Sequence, residues 1–416
     1  MNHNNSSVLV VHVGRRDNYE VVQALYDAGW KVSLLTDFYY TPGTFIGLVS
    51  RWLMGDAVYR RYRKGLDITV YTTFILLILD YCERIVPRNK RINQLRSFLL
   101  GRKARRLLSS LKFKLAIFYY NSGIIYAAGN VNDNCKLALF QMHPHPVMLR
   151  TIYHDYAAKR PEIAIDMFSQ EEEMTNSTSY LSKLSHEVSV SDTIICSSSF
   201  VLRTLIKAGV QQDTIKVIPY GAPSRSGALP AEQSVRGSVS DYAIDLAFVG
   251  QFVVRKGVYE LLKLVARRPD IRLTIYTREL QRAREKTIEW ISEIPKNLVL
   301  RTILDDSILW SAASEADFLI LPSLAEGFGH VLLESMSAGL PIIASCNTGA
   351  PDVCVDGKSG YLMKGFMEDC IEGAVDRAIR ERGRWPAMRA FALAEASTHT
   401  WTAFRRNIAD HLSSSG

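Results

Sequence analysis

The stretch PSLAEGFGHVLLESMSAGLPIIAS, residues 322–345, decides how the chain is read. The FLILPS run that leads into it has strand character and closes at Pro322. Gly327 and Gly329 sit poorly inside a helix, because glycine loses the most backbone freedom there; they predict a tight loop where the backbone approaches something closely. From His330 onward, Val331, Leu332, Met336 and Leu340 are spaced for a buried helix stopped by Gly339 and Pro341, and IIAS opens the next strand. The unit is strand, glycine loop, helix, strand, and the free amides at the start of such a helix suit an anion. Two carboxylates, Glu326 in the loop and Glu334 in the helix, would repel a phosphate. They fit better as acceptors for the hydroxyls of a sugar or ribose beside it, although a helix-capping Glu326 and a solvated Glu334 stay open on the local pattern alone.

Working outward, strands and helices alternate from Ile244 to Ala344, as a parallel sheet requires. IDLAFVG opens that region and runs into GQFVVRKG, residues 250–257, where Arg255 and Lys256 precede a helix pattern and make a second anion-binding loop. The N-terminus repeats the design: VLVVHV (8–13) ends at the loop Gly14, Arg15, Arg16, Asp17, followed by a helix pattern and the strand KVSLLT. This is the opening of a doubly wound α/β domain. A length of 416 residues exceeds what one core usually fills. The expected organisation is a Rossmann-like domain over 1–221, a Ser/Gly/Pro/Ala-rich linker over 222–242, a second Rossmann-like domain over 243–395, and a C-terminal helical segment over 396–416, with a helix read from Ala390 to Leu412.

A chain that is 47% hydrophobic and 22% charged is a folded protein, not a disordered one. The six cysteines show no C-x-x-C pair and no ligand spacing with the histidines, so reduced cysteines and no metal site are expected. The N-terminus shows no leader pattern, and the longest apolar run, Phe74 to Leu79, is too short to span a bilayer; a cytoplasmic protein is expected. The net charge of +8 is uneven, since residues 51–114 alone carry +12. That localisation points to a patch with an anionic partner and away from nucleic acid. Within it, Arg51–Lys64 and Ile92–Leu111 interleave apolar and basic residues. They read either as amphipathic helices lying on the inner face of an anionic membrane or as ordinary surface helices with solvated basic faces.

The full string from Glu326 through Pro341, continued by Thr348, Gly349 and the Val355, Asp356, Gly357, Gly360 run, resembles the donor-site signature of family 4 retaining glycosyltransferases, the glycosyl transferases group 1 of GT-B fold. The resemblance implies two Rossmann-like domains facing across a cleft, a nucleotide-sugar donor on the second and a glycan or lipid-linked acceptor on the first. It implies no cofactor and no metal. Lys256 would hold the donor diphosphate, with Gly14, Arg15, Gln251, Arg255 and the Gly327, Phe328, Gly329, His330, Val331 loop around it. Glu326 would orient the sugar and Glu334 the ribose. LRTIYHD (149–155), read as the end of a strand over Met148–Tyr153, assigns His154 to the donor sugar, with His143 as the alternative. Three departures stand out: His330 replaces a usually apolar residue, Gln251 a usual arginine, and Arg15 a usual second glycine. Bacterial surface-polysaccharide synthesis is the implied setting, and a non-catalytic sugar-nucleotide-binding partner is the competing class. Ser197, Ser198 and Ser199 lack a nucleophile elbow around them. The acidic triplet Glu171 to Glu173 reads as a solvated helix start.

Overall fold

The computed structural model describes residues 6–72, 75–76, 79, 90–130, 134–223, 241–303 and 305–414. Parts of the Phe74 to Leu79 run and of the 222–242 linker, and Cys82, lie outside the described residues.

Two wholly parallel sheets carry the chain. The first contains β1 (Ser7–Val11), β2 (Lys31–Thr36), β3 (Thr69–Thr72), β4 (Leu115–Tyr119), β5 (Lys136–Gln141), β6 (Thr193–Cys196) and β7 (Ile215–Val217), in the order β3-β2-β1-β4-β5-β6-β7. The second contains β8 (Ile244–Val249), β9 (Ile271–Thr277), β10 (Leu298–Thr302), β11 (Phe318–Leu321), β12 (Ile342–Ser345) and β13 (Gly360–Met363), in the order β10-β9-β8-β11-β12-β13. Both are α/β sheets of Rossmann type. Helices cover the faces of each sheet, which is why their central strands read as continuous apolar runs: every residue of β8 and β11 is buried.

Two sequence expectations about elements are corrected. Met148–Tyr153 is not a strand but part of the helix Pro146–Lys159. Pro146 sits in its first turn, where the missing N–H costs nothing, and Leu149, Tyr153, Tyr156 and Ala157 are buried at helical spacing. The expected helix from Ala390 to Leu412 is two helices, Trp385–Thr398 and Trp401–Ser414. The break comes where the chain crosses back: the Ala222 N–H donates to the His399 carbonyl at 2.6 Å, and Ala222 bridges Thr400. Beyond it the last helix lies on the first domain, with Arg405 donating to Glu20 at 2.7 Å and the Phe404 ring against Phe140.

The basic segment divides. Leu100, Ala104 and Leu108 of the helix Lys90–Ser110 are buried in the first domain's core with Leu9 and Phe118, so this helix spends its apolar face internally. In the helix Phe45–Met54, by contrast, Leu48 is 64% and Trp52 84% exposed. Among the described residues no helix is long and apolar enough to cross a membrane.

Candidate active site

In open parallel sheets, ligands meet the C-terminal ends of strands where the strand order reverses. That reversal lies between β1 and β4 in the first sheet and between β8 and β11 in the second. The loops leaving these four strands converge on one cavity of about 480 Å³: Val13 and Arg16 after β1, Tyr120 and Asn121 after β4, Gln251 and Arg255 after β8, Glu326 and Gly327 after β11. The cavity therefore lies between the two sheets, walled by both.

Its charged centre joins the two second-domain loops. Lys256, 8% exposed, donates to Glu326 Oε2, and Arg255 Nη1 reaches the same oxygen at 3.3 Å. Burial alone would raise the Glu326 carboxyl, but Lys256 and then Arg255 outweigh it and hold the pKa at about 2. Burial pulls the Lys256 ammonium below its ordinary value, opposed by Glu326. Arg255 also donates to Gln251 Oε1 at 3.2 Å and faces Glu171 at 3.3 Å. The Arg255 guanidinium thus lies against the glutamine at position 251. Gly257 permits the arrangement: it is left-handed at φ +76°, and a Cβ there would fall 2.2 Å from the Pro322 carbonyl oxygen.

The Glu326–Gly329 loop is seated on the first domain. A Cβ at Gly327 would lie 1.9 Å from the Met142 carbonyl oxygen. The Gly327 carbonyl accepts from Ser197 Oγ at 3.1 Å and Ser198 Oγ at 2.6 Å, and the Ser199 N–H donates to Asp352 at 2.8 Å. These serines are therefore cross-domain fasteners, a role their sequence surroundings do not reveal. Phe328 is buried against Tyr220, and the His330 ring lies tilted against the same Tyr220 ring at 4.5 Å.

Among the expected site residues, Gln251, Arg255, Glu326 and Gly327 line the cavity, with Lys256 bound to Glu326. Phe328, Gly329, His330, Val331 and Glu334 lie beside it without lining it. His154 is displaced: it is an exposed residue of the helix Pro146–Lys159, its ring 5.5 Å from Phe168 and outside the cavity. The histidine that lines the cavity is His143, in the loop after β5, with its ring 5.8 Å from Tyr120. Desolvation first, then Arg16, pushes its pKa down to about 4 against the pull of Glu326, so it is neutral at physiological pH. Gly14 and Arg15 do not line the cavity; Arg16 does, because Asp17, Asn18 and Tyr19 all turn left-handed after it and redirect the chain. The acidic triplet is also corrected: Glu171 and Glu173 line the cavity, and Glu171 pairs with Arg255. Among the described residues no cluster of three His, Cys, Asp or Glu could hold a metal ion.

Glu187 shapes the first-domain wall from behind. It is 1% exposed, and its carboxyl accepts the Asn121 N–H at 2.8 Å. Burial raises its pKa from 4.5 to about 8, outweighing the backbone N–H bonds. Its folded pKa lies above its unfolded one, so the penalty is absent below about 4.5 and grows until the pH passes about 8. Glu187→Gln is expected to flatten the loss of thermal stability across that window by a few kcal/mol, at about 1.4 kcal/mol per pH unit at most; equal melting-temperature slopes for wild type and variant would refute this.

With this geometry in place, comparison with known proteins is informative. Residues 236–392 match the family model described as glycosyl transferases group 1. An uncharacterised 41.2 kDa protein in the cps region of Klebsiella pneumoniae is 31% identical over 176 residues, covering 41% of this chain and 48% of that protein. A D-inositol 3-phosphate glycosyltransferase of Corynebacterium diphtheriae is 29% identical over 168 residues, covering 38% and 39%. The chain thus spans about half or less of the length of these relatives. HepE of Anabaena, solved in complex with UDP and glucose, superposes with a TM-score of 0.59 at 15% identity, over 98% of this chain and 100% of that one. The fold is GT-B. Its second domain carries the match to the glycosyl transferases group 1 family model.

Proposed function

We propose that the chain is a retaining glycosyltransferase that moves a sugar from a nucleoside-diphosphate sugar to a glycan or lipid-linked acceptor in the synthesis of a bacterial surface polysaccharide. The observation that carries this reading is the Lys256, Arg255 and Glu326 centre at the meeting of two switch-point loops. A departing nucleoside diphosphate needs fixed positive charge in a site poor in water. Lys256 and Arg255 supply it, and Arg16 adds a third cation on the cavity wall. Side chains do this neutralising, without a metal. Glu326 accepts hydroxyls of the donor sugar, Glu334 those of the ribose, and neutral His143 replaces His154 beside the reacting carbon. The C1–O bond to the diphosphate breaks while the acceptor oxygen bonds C1 from the same face, and the acceptor proton passes to the departing phosphate oxygen. The setting follows the cps-region relative, and the donor class follows the UDP and glucose of the structural neighbour.

The competing class, a sugar-nucleotide-binding partner without turnover, rests on the missing arginine at position 251. Arg255 against Gln251 restores that charge. The test is nucleoside diphosphate release from UDP-, GDP-, ADP- and dTDP-sugars, with NMR of the product's anomeric configuration. Retained configuration supports the reading, inversion overturns the stereochemical part, and no turnover with any donor overturns the whole.

Peripheral contact with an anionic membrane is assigned to the helix Phe45–Met54 and the turn after it, where exposed Leu48 and Trp52 stand beside exposed Arg51 and Arg60. Trp52→Glu is expected to lower co-sedimentation with phosphatidylglycerol vesicles at least fivefold, because an indole at the headgroup level is replaced by a charge the lipid repels. Unchanged co-sedimentation would remove this contact from the account.

A further inference from the structure

Between β5 and β6 the chain leaves the first sheet and packs on the second domain. This segment opens with the helix Pro146–Lys159 and continues through the helices Ala164–Gln170 and Glu172–Thr175. Its Leu149, Tyr153 and Met167 share one buried cluster with Val254, Tyr259 and Leu324 of the second domain. Its polar groups do the same. Tyr156 and Arg160 donate to the fully buried Glu260 at 2.8 and 2.7 Å, Tyr259 Oη donates to Glu162 at 2.8 Å, and Trp290 Nε1 donates to Asp166 at 2.8 Å. A buried ion pair such as Arg160 with Glu260 is costly to break, because either partner alone is an uncompensated buried charge. The segment is therefore fixed relative to the cation-bearing loop after β8.

On the cavity side, two consecutive residues of the segment grip two consecutive residues of that loop. Gln170 Oε1 accepts the Val254 N–H at 2.8 Å, and Glu171 Oε1 lies 3.3 Å from Arg255 Nε. Gln170 and Glu171 are each 8% exposed, and both line the cavity. Arg255 is thereby held at all three nitrogens: Nε by Glu171, Nη1 by Glu326 at 3.3 Å and Nη2 by Gln251 at 3.2 Å. A guanidinium carries one N–H on Nε and two on each Nη, so these three contacts leave one N–H on each Nη for a ligand. Without Glu171 the pull of Glu326 on Arg255 is unopposed from that side, and the arginine closes on the sugar-orienting carboxylate. We infer that Glu171 is a positioning residue of the transfer reaction, setting the Arg255 guanidinium against the departing diphosphate while Gln170 keeps the loop in register with it. This rests on the transferase reading above and adds to it a residue that lies outside both anion-binding loops of the second domain.

The test compares wild type, Glu171→Ala, Glu171→Gln, Arg255→Met and the double variant Glu171→Ala with Arg255→Met, with thermal melting as the check on folding. Hydrolysis of whichever nucleotide sugar in the panel above the wild type turns over fastest gives kcat, and calorimetry gives the affinity for its nucleoside diphosphate. Glu171→Ala is expected to lower kcat at least tenfold while the nucleoside diphosphate binds as tightly or more tightly, because a carboxylate has left a site that takes an anion. Glu171→Gln keeps an oxygen for Arg255 Nε and is expected to regain at least threefold in kcat over Glu171→Ala. In the Arg255→Met background, Glu171→Ala is expected to change kcat less than twofold, since its effect passes through Arg255. An unchanged or raised kcat in Glu171→Ala would overturn the role, marking the carboxylate as a bystander or as a competitor of the diphosphate. An equal fall in both backgrounds, or a joint loss of kcat and nucleoside diphosphate affinity, would overturn it too, as the mark of a merely structural residue. A wild type that hydrolyses nothing in the panel overturns the transferase reading itself, an outcome that no comparison among the variants produces.

Discussion

Lys256→Met is expected to reduce nucleoside diphosphate release by two to three orders of magnitude while leaving the protein folded. In the native centre one carboxylate oxygen of Glu326 faces two cations, Lys256 and Arg255 at 3.3 Å. Removing a single preorganised electrostatic group from a reacting centre typically costs about 10²–10³ in turnover, because its effect is concentrated where charge develops. The methionine keeps most of the buried stem of Lys256, and Arg255 remains to pair with Glu326, so the fold survives. The measurement is kcat for donor hydrolysis at saturating donor, with thermal melting as control. A loss below tenfold would mean that Arg255 and Arg16 carry the leaving-group charge without Lys256.

Gly327→Ala is expected to be nearly as damaging for a different reason. The new methyl would sit 1.9 Å from the Met142 carbonyl oxygen, well inside contact distance, and the near neighbour is backbone that cannot rotate away. The donor loop or the first domain must withdraw, which loosens the bonds from Ser197 and Ser198 and moves Glu326 off Lys256. Overpacking of this kind costs about 1–3 kcal/mol of stability, and a displacement of about 1 Å at a reacting centre can cost about 100-fold in rate. Ser198→Ala provides the contrast, since it removes one bond to the loop and the helix cap on Val201, each worth about 1 kcal/mol, and leaves the loop in place. Equal turnover for the two variants would show that the seating of the loop does not matter.

Much of the fold was legible because parallel sheets write themselves as repeated apolar runs ending in glycine. IDLAFVG and VLVVHV announced β8 and β1, and the GQFVVRKG and EGFG loops announced the charged face of the second domain, Lys256 and Glu326 included. What could not be read was contact across long separations. Nothing local to Ser197–Ser199 points at Gly327, some 130 residues away, and the acidic triplet looked like a solvated helix start until the fold set Glu171 against Arg255. That Arg255 would lie against Gln251 could not be read from the sequence, since it depends on how the loop after β8 folds its side chains together. His154 failed for a different reason. LRTIYHD resembles a family strand end, although Pro146 and the spacing of Leu149, Tyr153 and Tyr156 favour a helix. The strand that mattered was KLALFQ, and ligands gather after strand ends, which points to His143. The choice of Arg16 over Arg15 depended on three consecutive left-handed residues without glycine, a turn that no sequence pattern signals. In the basic segment, the spacing of Leu100, Ala104 and Leu108 was the sign that the helix Lys90–Ser110 belonged to the core.

Calorimetric titration of UDP, GDP, ADP and dTDP into wild type, Lys256→Met and Glu334→Ala tests the cleft most directly. Saturable one-site binding of one of these nucleotides to wild type, weakened at least tenfold by each substitution, is the predicted result. No binding by any of the four, or the same affinity in all three proteins, would contradict the assignment of this cleft as a nucleotide-sugar site.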